Sequence, residues 1–275
     1  MFYEKEDINT AVLRKLQLVQ QEILDEIVRI CNKNDLKYYL VGGTLLGAVR
    51  HKGFIPWDDD LDIAMPRYDY DKFIEICKTQ LGEQYYLHSF ETDDKYWLIF
   101  AKLRKKNTVL NERNIAHLDV PKGIYVDIFP FDNAVNPNSF SQKIKTKIIK
   151  SLYSIIVSKV GVIVKKERAS KFVAGLFKFV SIKRLSVLAN KLMRNKNKKE
   201  TKYYINYGSN YNTVKQTIPK DKYEPAKNLE FEGKLYRVPN DYDYVLRQIY
   251  NDYLILPPIE KQTFRHKPDF IDFGD

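Results

Sequence analysis

Apolar residues recur at three- and four-residue spacing over residues 8–34, with Leu13, Leu16, Ile23, Ile27 and Ile30 on one face. That spacing predicts an amphipathic helix, with a cap offered by the polar residues Asp7 and Asn9 in the region 7–9. The pattern then shortens to an apolar run at 36–41, which reads as a strand entering the Gly42 and Gly43 pair and a short helix over 44–51. At 60–65, Leu61 and Ile63 alternate with Asp60 and Asp62, the period of a strand with one face in a core. A helix over 70–81 and strands over 86–89, 97–104 and 123–129 complete an interleaved core at 1–135. Its class is α/β (α+β), a mixed sheet flanked by helices. Helical periodicity returns over 136–205, where Ile148, Leu152, Ile155, Ile156 and Val160 fall along one stripe, and this segment reads as an inserted helical subdomain. Residues 206–275 carry a strand or hairpin at 231–238 and then a helix, and are expected to pack back on the core.

Charge changes the picture of the middle segment. Residues 136–200 hold 17 Lys or Arg against two Glu, a balance of +15, whereas the rest of the chain holds 29 basic against 33 acidic residues, a balance of −4. A basic amphipathic segment either packs its apolar face on the protein, leaving its lysines in water, or lies on an anionic membrane surface. Its longest apolar stretch, 152–164, is interrupted by Lys159 and falls short of the roughly 20 residues that span a bilayer. Nucleic-acid binding fits the charge alone, and no nucleic-acid partner is expected. With 44% apolar and 29% charged residues in 275, the chain has neither a disordered nor a fibrous composition and is long enough to bury a core. Cys31 and Cys77 are the only cysteines, which excludes a disulfide framework or zinc knuckle. The opening MFYEKEDINTAVLRK has no apolar h-region, so the expected location is cytoplasmic, with peripheral attachment at the inner face of the plasma membrane as the membrane-bound variant.

The densest chemistry lies in PWDDDLDIAM, which places four Asp in the five positions from Asp58 to Asp62. Strand residues two apart share a face and lie about 6.6 Å apart. Asp60 and Asp62 would therefore point the same way and raise each other's pKa unless a cation sits between them. All-oxygen donors favour Mg²⁺, Mn²⁺ or Ca²⁺ over zinc. Asp127 in GIYVDIFPFD stands among apolar residues, where an unpaired charge is costly, and on a neighbouring strand it would complete a triad. A solvated acidic turn is the bland alternative, but such turns rarely run straight into an alternating strand. An EF-hand from Asp58 would need Gly at Ile63 and Glu at Asp69, and a P-loop would need Lys at Ala48. No GxGxxG or GxSxG is present, and His51, His88, His117 and His266 are scattered. Gly42 and Gly43 let the backbone approach a ligand, with the following helix offering free N–H groups to a phosphate.

The motifs GGTLLGAVR, PWDDDLDI, FAKLRKKNT, GIYVDIFPFD and YNDYLILPP, in that order, resemble the LicD family, which has the nucleotidyltransferase fold. The family is named for phosphocholine transferases of bacterial surface glycans, and its eukaryotic members fukutin and the fukutin-related protein transfer ribitol phosphate. The likeness touches most of the chain outside the basic segment. It implies that Asp60 and Asp62 bind metal, with Asp127 as third carboxylate and Asp58 as an additional ligand. It also implies that Gly42 and Gly43 hold donor phosphates by backbone contact, that Thr44 adds a hydroxyl, and that Arg50, Lys102 and Arg104 neutralise phosphate charge. Lys102 and Arg104 read equally well as a solvent-facing strand edge. Trp57 is open between stacking on a base and anchoring its loop, His266 between the site and the surface, while Tyr250 and Tyr253 read as packing residues. Some eukaryotic members carry a zinc-binding cysteine set that this chain lacks.

The implied reaction moves a phospho-alcohol group, of phosphocholine type, from a CDP-alcohol donor such as CDP-choline to a hydroxyl of a cell-surface glycan or its lipid-linked precursor. Lipopolysaccharide, teichoic acid and capsule polysaccharide are the acceptor classes, Mg²⁺ (or Mn²⁺) is the expected cofactor, and Asp127 is the candidate to orient or deprotonate the acceptor. A CDP-polyol donor carrying ribitol or glycerol phosphate, or transfer of the NMP itself, is the alternative chemistry. An inactive glycan- or membrane-binding scaffold is the alternative of another class, against which the retained Asp60, Asp62 and Asp127 speak.

Overall fold

The computed structural model describes residues 2–4, 8–162, 177, 179–264, 266 and 268–274. After strand β1 (Phe2–Glu4), helix α1 (Thr10–Lys33) starts at Asn9, whose side-chain oxygen accepts from the N–H groups of Ala11 and Val12. Asp7, the other polar residue at 7–9, lies outside the described residues. Leu13, Leu16, Ile23, Ile27 and Ile30 are all buried, so the expected apolar face of α1 is the face in the core. Three glutamines on the same helix, Gln17, Gln20 and Gln21, are buried as well. Gln17 and Gln20 donate to the carbonyls of Asp58 and Asp59, each at 2.9 Å, so α1 also fixes the acidic loop.

The next elements in order are β2 (Tyr39–Leu40), α2 (Gly42–His51), β3 (Asp62–Pro66) and α3 (Arg67–Gln80). They are followed by β4 (Tyr85–His88), β5 (Ala101–Lys105), β6 (Val109–Glu112) and β7 (Tyr125–Ala134). The main sheet runs β2-β3-β7-β5-β4, with β3 and β7 parallel and the other neighbours antiparallel. The far end of β7 pairs with β8 (Tyr203–Ile205), which pairs with β9 (Thr217–Pro219). Helices α4 (Phe140–Val160) and α5 (Ile182–Arg194) lie between β7 and β8 in sequence and pack on each other. A hairpin, β10 (Lys227–Phe231) and β11 (Lys234–Val238), leads to α6 (Tyr242–Tyr250), and the closing strand β12 (Pro268–Asp272) pairs with both β1 and β6. The molecule is an α+β fold with a mixed sheet.

Several boundaries differ from the sequence expectation. The strand after the acidic run begins at Asp62, leaving Asp60 in the loop that α1 holds, and residues 97–100 precede β5 instead of belonging to it. The double glycine forms the first turn of α2. Lys102 and Arg104 are not on a sheet edge, because β5 lies between β4 and β7, and both side chains are buried. On α4 the buried stripe is Ile149, Leu152, Ile155 and Ile156, while Ile148 is 46% exposed. Residues 149, 152 and 156 keep the three- and four-residue steps of one helix face, and 148 lies about 100° around the axis from 149. Val164 and the rest of 163–176 lie outside the described residues. No helix among the described residues is long and apolar enough to cross a membrane.

Candidate active site

Three charged residues are brought into one row by strand register. Asp62 on β3 is level with Asp127 on β7, and Asp127 is level with Lys102 on β5. Adjacent strands lie about 4.8 Å apart, so residues in such a row are immediate neighbours. Lys102 Nζ donates to Asp127 Oδ1 at 2.6 Å and stands 3.2 Å from the centre of the Tyr125 ring. Burial pushes the Asp127 carboxyl up, opposed by Lys102, and pushes the Lys102 ammonium down, opposed by Asp127. Arg104, two residues along the same strand, donates to the carbonyl of Gly123 and to His88 Nδ1. Tyr125 in turn donates to the buried Glu112 at 2.7 Å.

This row forms one side of a cavity of about 530 Å³ whose walls include Asp60, Asp62, Asp127, Lys102, Gly42 and Gly43. Arg104 and Glu112 line it as well, so the two basic residues of β5 face the cavity, not solvent. The glycines are where they are because carboxylates crowd them. A Cβ on Gly42 would meet Asp62 Oδ2 at 3.1 Å, and one on Gly43 would collide with Asp58 Oδ2. Gly42 also has φ +58°, a conformation that costs an L side chain.

Other expected site residues stand elsewhere. The Thr44 hydroxyl is outside the cavity wall and accepts from the N–H of Asp62 at 2.8 Å, tying α2 to the start of β3. Arg50 is also outside that wall, donating to the carbonyl of Tyr253 at 3.0 Å and to His51 Nε2. Asp58 sits behind Gly43 and lines a second cavity together with Trp57. Tyr250 lines the first cavity, and Tyr253 is buried with its hydroxyl on Asp243.

His266 reaches the site. Its N–H and its Nδ1–H both donate to the carboxylate of Asp59, at 2.9 and 3.0 Å, and Nε2 lies 3.8 Å from Asp60 Oδ2. Burial pulls the imidazole down, but the hydrogen bond to Asp59 and the fields of Glu112 and Asp60 outweigh it and raise the pKa to about 10. The roles of Asp59, Glu112 and Lys150, which donates to the carbonyl of Ser209 and also lines the cavity, carried no signal in the sequence. Asp59 is one of a run of three Asp, and nothing in that run marks which one anchors a residue 207 positions later.

The oxygen donors of Asp60 and Asp62 suit a hard divalent cation. Among the described residues no group of three or more His, Cys, Asp or Glu is placed to hold a metal ion, and Lys102 takes one oxygen of Asp127. The donor set therefore fits the way Mg²⁺ is commonly held, by one or two carboxylates with the remaining positions filled by water and substrate phosphate.

The carboxylates face a glycine-rich helix start beside a mixed sheet, and the family profile described as LicD/FKTN/FKRP, nucleotidyltransferase domain, matches residues 35–154 of this chain. The chain is 31% identical over 266 residues to the lipopolysaccharide cholinephosphotransferase LicD of Haemophilus influenzae, covering 92% of this chain and 96% of that one. It belongs to the LicD family. An uncharacterised protein of Rickettsia typhi is 42% identical over 73 residues, 26% of this chain and 24% of its own length.

Proposed function

We propose that this cavity transfers a phosphocholine group from CDP-choline to a hydroxyl of a cell-surface glycan, with lipopolysaccharide, the acceptor in the name of the Haemophilus relative, as its class. The observation that carries the reading is the meeting of Asp60, Asp62 and Asp127 with Gly42, Gly43 and Lys102 on one cavity. The acceptor oxygen forms a bond to the choline-bearing phosphorus, the bond from that phosphorus to the CMP oxygen breaks, and CMP leaves with the electron pair as the hydroxyl gives up its proton.

Each part of the wall has work in that step. Gly42 and Gly43, lacking Cβ atoms, let phosphate oxygens approach the backbone N–H groups at the start of α2. Lys102 and Arg104, both buried, supply fixed positive charge toward the transferred phosphoryl group. Asp127, its carboxyl raised by burial, is better matched to accept the acceptor's proton than an exposed carboxylate. A divalent cation, Mg²⁺ or Mn²⁺, would be held by Asp60 and Asp62 and would neutralise pyrophosphate charge. His266, fixed by Asp59, closes the wall beside Asp60. The balance of +15 on residues 136–200 supports attachment at an anionic membrane face, where lipid-linked acceptors are presented.

Thermal unfolding with MgCl₂ plus CDP-choline, CDP-ribitol, CDP-glycerol, CTP or ATP in turn tests this reading. CDP-choline is expected to raise Tm only with metal, and Asp60→Asn to abolish the shift. A shift with CDP-ribitol or CDP-glycerol alone moves the assignment to a polyol donor, and no shift with any nucleotide sinks the transferase reading.

A further inference from the structure

A second cavity, of about 500 Å³, adjoins the first through the shared residues Asn210 and Tyr211. Its character is different. The first cavity carries the paired and buried charges, whereas the second has three aromatic walls, Trp57, Tyr211 and Phe264, with Asp58, Asn210, Thr263 and the exposed Lys261 around them. Trp57, Tyr211 and Phe264 are half-buried, and Asn210 and Thr263 are exposed at the rim. Asp58 bridges the two spaces, since its carboxylate lies against Gly43, which lines the first.

We propose that this second cavity is the acceptor subsite, holding a sugar ring of the glycan against Trp57. The inference rests on the transferase reading for the identity of the acceptor. A pyranose has an apolar C–H face and a polar rim. An indole or phenol ring covers the face, and planar carboxylate and amide groups pair with adjacent hydroxyls at the rim. Aromatic side chains with Asp58 and Asn210 beside them supply both halves of that match. Position supports it too. In-line transfer needs the acceptor hydroxyl to enter from a side of the phosphorus away from the leaving nucleotide, so its subsite must border the donor cavity without lying inside it. A polymer must also run out to solvent, and the rim at Asn210 and Thr263 is exposed. Trp57 is held for such contact: an edge-on His51 lies 6.4 Å away, and the backbone after it is fixed by Gln17 on the Asp58 carbonyl.

The test is isothermal titration of the full chain with a deacylated lipopolysaccharide core oligosaccharide, and separately with CDP-choline plus MgCl₂. Trp57→Ala is expected to weaken oligosaccharide binding at least tenfold and to leave CDP-choline affinity within twofold. Asn210→Ala, on the exposed rim, is expected to weaken the oligosaccharide several-fold and decides the matter if Trp57→Ala fails to fold. Unchanged oligosaccharide affinity in the folded variants, a loss of CDP-choline binding in place of it, or no oligosaccharide binding by the unaltered protein overturns the proposal. Oligosaccharide binding that depends on Trp57, in a protein that ignores CDP-choline, leaves this subsite standing and sinks the donor assignment.

Discussion

His88 is a neutral imidazole by construction. Arg104 Nε donates to its Nδ1 at 3.1 Å, so the ring proton sits on Nε2, which faces Asp93 at 3.0 Å. Protonating Nδ1 would set two cations against each other in a buried site, and burial together with the Arg104 charge lowers the pKa to about 4. The unfolded chain takes up a proton near pH 6.5 that the fold refuses until about 4, so stability is full above that window and falls as pH drops through it. The loss is about 3 kcal/mol at most. Denaturant unfolding at pH 7 and pH 4.5 should show His88→Gln losing less stability on acidification than the unaltered protein, and parallel losses would refute the assignment. Gly42 is a second residue with a defined cost. At φ +58° an L side chain pays about 1–2 kcal/mol, and the added methyl would press on Asp62 Oδ2. Gly42→Ala should therefore unfold at lower denaturant and lose the metal-dependent CDP-choline shift, and unchanged unfolding would show that this backbone relaxes freely.

At the scale of elements, the sequence is legible where one element decides the outcome and silent where two must meet. Helix α1 and its buried face follow from its own periodicity, and Asp62 and Asp127 stand out because each interrupts an apolar strand. Lys102 and Arg104 were ambiguous because only the strand order β7-β5-β4 makes β5 interior. Strands β6, β8 and β9 carry three or four residues each, too few to establish alternation, and β12 is placed by partners distant in sequence. The same reason hid the Asp59–His266 contact. His266 lies just before β12, and β12 is placed by β1 and β6, so the residue reaches the acidic loop through a sheet that no local pattern announces. The buried pair of Arg67 with Asp132, joined by Asn197, likewise links α3 and β7 to the segment after α5. A lone charge in that position would be costly, so the three residues hold these elements together as a set.

Over the whole molecule the charge divides sharply: +15 on residues 136–200 and −4 on the rest. On α4 the exposed positions Phe140, Ile144 and Ile148 follow at four-residue intervals, with the exposed Lys143 and Lys147 between them. Phe140 is 80% exposed, a position that water alone does not explain, while the opposite face of α4 is already satisfied by the core. A helix with one apolar face in the protein and a second apolar row set among lysines suits the boundary of an anionic bilayer. Each Lys near such a surface contributes about 1 kcal/mol at physiological salt, and that contribution is screened within a Debye length. The full chain should therefore sediment with phosphatidylglycerol-containing vesicles at low salt, release at 0.5 M NaCl, and ignore purely zwitterionic vesicles. Replacing Phe140 and Ile144 by Ser should weaken sedimentation without lowering Tm, because neither side chain supports the core. Equal binding to neutral and anionic vesicles, or none at low salt, would return the lysines to the role of a solvated helix face.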